Sequence, residues 1–215
     1  NSSGSFVRSF GGYGTSCNRW RYARQFSIHN DIIYLADTYN YRVKKLSLTG
    51  GCLANRNTVF SYPTSIAVNN RNVFVGNSGT RIETFYTSNL QQSGYQTFSS
   101  GDLYYAWGMS MNKAGNKLIV ANYNGNRLSE FSVSSGRLSL IRKTSNSYSS
   151  SNGYFRRATD AVYDSNGNVY ASDLYNHRIQ KFNSSLSYQA KYGSYSTSNP
   201  FRYPYGMGID SNDNI

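Results

Sequence analysis

Five short segments carry the side chains best suited to chemistry in this 215-residue chain. They read Asn18-Arg19-Trp20-Arg21-Tyr22-Ala23-Arg24, Phe60-Ser61-Tyr62-Pro63, Tyr104-Tyr105-Ala106-Trp107, Phe155-Arg156-Arg157-Ala158 and Phe201-Arg202-Tyr203-Pro204-Tyr205. Arginine offers a planar fork of N–H donors to phosphate, sulfate or carboxylate, and aromatic rings stack on bases or on the faces of sugars. The chemistry of such segments is therefore binding, with Arg19, Trp20, Arg21, Tyr22, Arg24, Tyr62, Tyr105, Trp107, Arg156, Arg157, Arg202 and Tyr205 as candidate ligand-binding residues. The first bulky residue of each segment (Trp20, Phe60, Leu103, Phe155, Phe201) has a plainer use, as a plug between packed elements.

Catalytic and cofactor chemistry is poorly served. The chain has two histidines, His29 and His177, and no Ser-His-Asp arrangement suggests itself. The acidic residues fall mainly at repeated turns rather than as a paired carboxylate site. No catalytic residue, metal ligand set or cofactor is expected. Two cysteines, Cys17 and Cys52, are too few for a disulfide scaffold and lack metal spacing; they are a candidate single disulfide.

The formal charge is +12, with 22 Lys plus Arg against 10 Asp plus Glu, and 15 of the basic residues are Arg. That balance favours polyanionic partners without choosing one. No stretch approaches the roughly 18 apolar residues of a membrane span, so no membrane insertion is expected. Asn1-Ser2-Ser3 and Asn183-Ser184-Ser185 are candidate glycosylation sequons. With few Lys and Glu beside abundant Ser, Asn and Tyr, the composition looks extracellular, a cytoplasmic location being the alternative.

What must position the binding segments is a repeat. An aliphatic strand, a small residue, Asp or Asn, a short turn, Arg and a second strand recur in order. The copies are Ile33-Tyr34-Leu35-Ala36-Asp37 to Arg42-Val43, Val73-Phe74-Val75-Gly76-Asn77 to Arg81-Ile82, Leu118-Ile119-Val120-Ala121-Asn122 to Arg127-Leu128, and Val169-Tyr170-Ala171-Ser172-Asp173 to Arg178-Ile179. These Asp/Asn–Arg pairs are expected to be structural, an Asp capping the turn and an Arg bridging back. The bulky residues heading the binding segments are 40, 43, 52 and 46 residues apart, and an alternating half-buried strand follows each segment. Then comes a turn such as Ser165-Asn166-Gly167-Asn168, read as a two-residue hairpin turn with positive φ. A fourth strand follows Thr49-Gly50-Gly51 or Ser134-Ser135-Gly136. Four short antiparallel strands per unit predict an all-β chain built of propeller blades.

The strings Ala36-Asp37-Thr38-Tyr39-Asn40-Tyr41-Arg42-Val43 and Ser172-Asp173-Leu174-Tyr175-Asn176-His177-Arg178-Ile179-Gln180-Lys181-Phe182 resemble NHL repeats, and the likeness covers nearly the whole chain. It implies a single NHL β-propeller domain over 1–215, six-bladed when complete. Its expected parts are an outer strand of a preceding blade at 5–12, blades at 18–58, 59–101, 102–153 and 154–199, and the start of a further blade at 200–215. The second copy departs most and should have a shorter turn. The resemblance specifies fold better than function. The reading that the Ser/Asn/Tyr-rich composition, the sequons and the Tyr/Arg face favour is a non-enzymatic extracellular interaction module whose loop face takes a glycan, an acidic polymer or a protein. The alternatives are RNA binding, as in tripartite-motif proteins that end in NHL propellers, and a metal-dependent propeller lyase.

Overall fold

The computed structural model describes residues 5–58, 62–195 and 201–215. Blade one holds β1 (Phe26–His29), β2 (Ile32–Asp37), β3 (Arg42–Ser47) and β4 (Cys52–Asn57). Blade two holds β5 (Pro63–Val68), β6 (Asn72–Asn77), β7 (Arg81–Tyr86) and β8 (Gln92–Thr97). Blade three holds β9 (Ala106–Met111), β10 (Lys117–Asn122), β11 (Arg127–Ser134) and β12 (Arg137–Lys143). Blade four holds β13 (Ala158–Tyr163), β14 (Val169–Asp173), β15 (Arg178–Phe182) and β16 (Tyr188–Tyr192). Each blade is a separate antiparallel sheet in which sequential strands pair.

Apolar residues of one face of a sheet cannot be buried by that sheet alone, so the blades stack. Phe74, Ile82, Leu103, Met109, Leu118 and Phe131 interlock blades two and three. Ile119, Ala121, Phe155, Ala161, Val169 and Phe182 do the same for three and four. The inner strands β5 and β13 are buried along their whole length, while the outer strands are largely exposed, because only inner strands have neighbours on every side. Leu103 and Phe155 are fully buried, as plugs should be. Phe60 lies outside the described residues.

The repeat pair sets the register. Asp37 faces Arg42, Asn122 faces Arg127 and Asp173 faces Arg178 at the ends of their hairpins. In blades one and four a single 3-10 turn fills the gap, Thr38–Asn40 and Leu174–Asn176, closed by Tyr41 and His177 at φ 53. Blade two has no such helical turn; there Asn77 Oδ1 accepts Gly79 N–H at 2.9 Å, in keeping with its shorter spacing.

Two expectations are corrected. The inner hairpin of blade four does not use a two-residue turn: Asp164 N–H donates to Asn168 O, with Gly167 at φ 80 between them, whereas blade one does use one, Asn30 and Asp31 standing at φ 48 and 58 between the paired His29 and Ile32. Asp164 Oδ1 also accepts the N–H groups of Asn166 and Asn168, and this side-chain bridge stabilises the longer loop. Residues 5–12 form no strand, because no sheet edge runs beside them to complete a ladder. Phe10 instead packs edge-on against Trp20. Residues 201–215 form no strand; Thr159 Oγ1 donates to Pro204 O and Ser165 donates to Asp213, which lays the segment along blade four.

A meander places its turns at two ends. The β2–β3-type hairpins and the loops leading into each inner strand share one end, called the upper face here. The inner hairpins and the β3–β4-type turns share the lower.

Candidate functional site

The upper face is assembled by a clamp that recurs with variation. Asp37 Oδ1 accepts the backbone N–H of Arg21 and Asp173 Oδ1 that of Arg156, both at 2.7 Å. In blade three Asn122 Oδ1 accepts Tyr104 N–H at 3.0 Å. Each acid holds its arginine through Oδ2, Asp37 to Arg42 Nε and Asp173 to Arg178 Nε, both at 2.8 Å. The remaining guanidinium N–H groups go to the lead-in loop: Arg42 to Ser16 and Arg19 carbonyls, Arg178 to Ser151 and Tyr154, Arg127 to Gly101 and Ser100. These arginines are spent on holding loops.

A second clamp position lies seven residues after the acid, and the sequence reading missed it. Lys44 there donates to the carbonyls of Ser16, Cys17 and Arg19. Gln180 donates to Tyr154 O and Asp173, and accepts Gly153 N–H. Ser129 donates to Asp102 O. Lys, Gln and Ser share no chemical signature, which hid the column. Burial brings the Lys44 ammonium down to about 8, with Arg42 adding to the shift and Asp37 opposing it. Cys17 and Cys52 form a disulfide, Cα atoms 5.7 Å apart, stapling this loop to the outer strand.

The clamps present a column of bulky residues in the left-handed region. Tyr22, Tyr62, Tyr105, Arg157 and Tyr203, two residues after each plug, have φ of 48, 54, 66, 68 and 55. A side chain with a Cβ costs roughly 1–2 kcal/mol there relative to glycine. Each blade nevertheless places a large ring or guanidinium at that spot. The rings join within and between blades: Tyr22 lies 4.9 Å from Tyr39 in blade one, and Tyr39 lies 5.7 Å from Tyr62 of blade two. Tyr62 meets Tyr41 at 5.0 Å, while Tyr203 meets His177 at 4.4 Å.

At the centre of the face stands a ladder. Trp107 stacks on Tyr123 at 4.3 Å and 25°, the Arg24 guanidinium sits 4.1 Å over the indole, and that of Arg157 sits 4.9 Å from the Tyr123 ring. Tyr105 and Tyr205 flank Trp107 at 4.9 and 5.7 Å. Burial and a hydrogen bond with Tyr175 push the Tyr123 phenol up to about 12, so it remains a neutral donor at physiological pH.

Beneath the ladder, Gln25 crosses the axis. Its Oε1 accepts Ile66 N–H at 2.9 Å and Met109 N–H at 3.3 Å, and its Nε2 donates to Met109 O and Asp160 Oδ1. Inner strands carry unpaired backbone groups on their axial edge, and Gln25 satisfies those of two blades. Asp160 accepts Ala161 N–H at 2.9 Å and Met207 N–H at 3.0 Å. Burial pushes its carboxyl up to about 7. A Cβ at Gly108 would collide with this carboxylate, so the close approach needs glycine. Below lies an axial cavity of about 860 Å³, reached from Arg24 to Lys113. Among the described residues no group of three His, Cys, Asp or Glu could hold a metal.

The expected binding residues are thus divided. Arg24, Tyr105, Trp107, Arg157 and Tyr205 meet at the axis, while Tyr22 and Tyr62 extend the belt over blades one and two. Arg21 lies 5.1 Å from Tyr13 and Arg156 5.4 Å from Tyr148, farther out. Arg19 reaches Tyr13 O at 3.4 Å, and Arg202 is exposed. Trp20 is corrected to a plug: it packs on Ile33, Leu35 and Leu46, where an apolar cluster excludes water. Asn183 bridges its own turn by accepting Ser185 and Ser187 N–H groups, and Asn1 lies outside the described residues.

Four-stranded meander sheets arranged about one axis define a β-propeller. Within it, residues 155–182 match the NHL repeat, the unit that contains the Asp173–Arg178 clamp. No curated protein matches the sequence significantly. Among solved structures the chain is similar to Kuenenia stuttgartiensis hydrazine synthase, a propeller-type protein, with a TM-score of 0.62 and 12% identity. The match covers 84% of this chain and 52% of that one, so the chain spans about half its length. At that identity the likeness carries the fold alone. Among the described residues no helix is long and apolar enough to cross a membrane.

Proposed function

We propose that this propeller is a non-enzymatic, extracellular binding module whose upper face recognises an acidic partner: a glycan, an acidic polymer or an acidic protein surface. The observation that carries the reading is the aromatic and arginine belt. It runs across all four blades, while the clamp acids Asp37 and Asp173 are fully buried and engaged by Arg42 and Arg178. Cations and phenol donors face outward while the clamp carboxylates face inward. Structural use of those acids also removes them from any general acid or base role. The Cys17–Cys52 disulfide supports an oxidising compartment.

The test is retention on sulfated and carboxylated polysaccharide matrices against a neutral one, eluted with salt. Combined substitution of Arg21, Arg156 and Arg202 by Gln should lower the eluting salt concentration, because these occupy one repeat position on the upper face. Substituting Arg71 and Lys113 on the lower face should change it little. Equal loss from both sets would sink the assignment to this face, and preferential capture of RNA oligonucleotides would favour the RNA reading. Compartment is checked separately, by thiol titration of the native protein and by glycosidase sensitivity at Asn183.

A further inference from the structure

Arg24 differs from the other upper-face arginines that the fold uses. Arg42, Arg127, Arg157 and Arg178 all donate to carbonyl or carboxylate oxygens. The exposed Arg24 guanidinium has no hydrogen-bond acceptor among the described residues, only the indole beneath it. Its stem is nevertheless fixed. Arg24 N–H donates to Ala36 O at 3.3 Å, and its neighbour Gln25 is bonded across the axis to two other blades.

Trp107 explains the arrangement. Tyr123 stacks on the indole and the Arg24 guanidinium also lies over it, so the ring is already occupied by protein groups. The indole's use is to hold an exposed guanidinium in place at the axial mouth. A cation over an indole gains about 0.5–2 kcal/mol, and a preformed fork loses less entropy on binding than a free chain. Around this fork stand phenols: Tyr105 feels the Arg24 charge and the neighbouring Tyr205 and Tyr39 hydroxyls. The nearest axial carboxyl, Asp160, is buried below and bonded to backbone N–H groups. A fork for one oxyanion, ringed by hydroxyl donors and acceptors, matches an oxyanion attached to a hydroxyl-rich ring.

We propose that Arg24, held by Trp107, is the receptor for the carboxylate or sulfate of an acidic saccharide at the axial mouth of the upper face. The inference rests on the reading of that face as a binding surface and names its ligand class and anchoring residue. The full chain is titrated by calorimetry with trigalacturonate, with a sulfated heparin-derived tetrasaccharide and with neutral maltotriose. Tryptophan fluorescence is followed in parallel. Of the chain's two tryptophans, Trp20 is the plug and Trp107 the reporter. At least one acidic oligosaccharide should bind and perturb the fluorescence, and maltotriose should not; the two acidic arms separate carboxylate from sulfate. Arg24→Gln should weaken binding at least tenfold. Arg24→Lys should recover only part of that loss, because an ammonium keeps the charge but not the fork. Arg24→Lys should melt as the parent does and Arg24→Gln only slightly lower, since no protein hydrogen bond is removed and a single cation–indole contact is lost. Acidic binding that Arg24→Gln leaves within twofold would overturn the Arg24 assignment while leaving the face reading standing. Failure of the parent to bind either acidic oligosaccharide would overturn the ligand class; if the polysaccharide matrices also fail to retain it, the face reading falls too.

Discussion

Replacing Asp160 by Asn should convert a pH-dependent stability into a nearly flat one. The carboxyl is buried beside the axis, and that burial raises it to about 7 against an ordinary value near 4. Between those limits the folded protein holds a proton that the unfolded chain has released. The unfolded state then binds fewer protons, so stability must fall as pH rises from about 4 to about 7. Three units at 1.36 kcal/mol each give roughly 4 kcal/mol over that window. Asn has no such titration, but its amide would set an NH₂ against the N–H of Met207 or Ala161, each now donating to a carboxylate oxygen. Leaving one donor unpaired costs about 1–3 kcal/mol. The variant should therefore be weaker than the parent at pH 4 and equal or stronger at pH 8. Urea unfolding of both proteins at unit pH steps reads the difference, in which the two histidines and the global charge largely cancel. Parallel curves across pH 4–8 would refute the account of a carboxyl held out of water.

Asp173→Ala should cost about 3–5 kcal/mol in denaturant unfolding, because Arg178 stays buried without its partner; Asp173→Asn should cost less, since Asn122 fills the same position in blade three. Reducing the Cys17–Cys52 bond, with its sequence separation of 35, should lower stability by about 3–4 kcal/mol on loop entropy, measured with and without reductant. Lys44→Gln, copying blade four, should leave the protein at least as stable at pH 7. The lowered Lys44 value means the unfolded chain binds more protons between about 8 and 10.5, so the parent gains stability over that window and the variant should not; alkaline melting curves decide it. Tyr22→Asn should raise the melting temperature slightly by relieving a left-handed backbone, while weakening retention on acidic matrices.

The blades were legible because their signals are local. An Asp five residues from an Arg, with alternation on either side, fixes a hairpin whatever surrounds it. The plugs were legible for the same reason, Trp20 included, although its flanking arginines also placed it among the binding candidates. What stayed hidden depends on distant partners. Gln25 looks like any polar residue between Arg24 and Phe26, and its role exists only once β5, β9 and β13 converge on it. Asp160 reads as an alternating strand position until Gln25, Gly108 and Met207 close over it and remove its water. The strand expected at 5–12 failed from the opposite side, since an apolar run makes a strand only beside an edge that accepts its hydrogen bonds.

The ring column shows how a repeat can carry structure and function at once. Structure alone would favour glycine or asparagine at the left-handed position after each plug, because those residues adopt it at least cost. This chain places Tyr22, Tyr62, Tyr105, Arg157 and Tyr203 there. The clamps of Asp37, Asn122 and Asp173 hold the loops firmly enough to tolerate that backbone. A strained backbone that recurs at equivalent sites, always under a large ring or a guanidinium, is hard to attribute to packing when Tyr22 and Tyr203 remain 71% and 48% exposed. The cost is understandable if the outward-facing side chains are what the fold is built to hold still. Asp–Arg clamps fix the loops, the loops fix the rings, and at the axis the rings fix the Arg24 guanidinium, which meets no hydrogen-bond acceptor among the described residues.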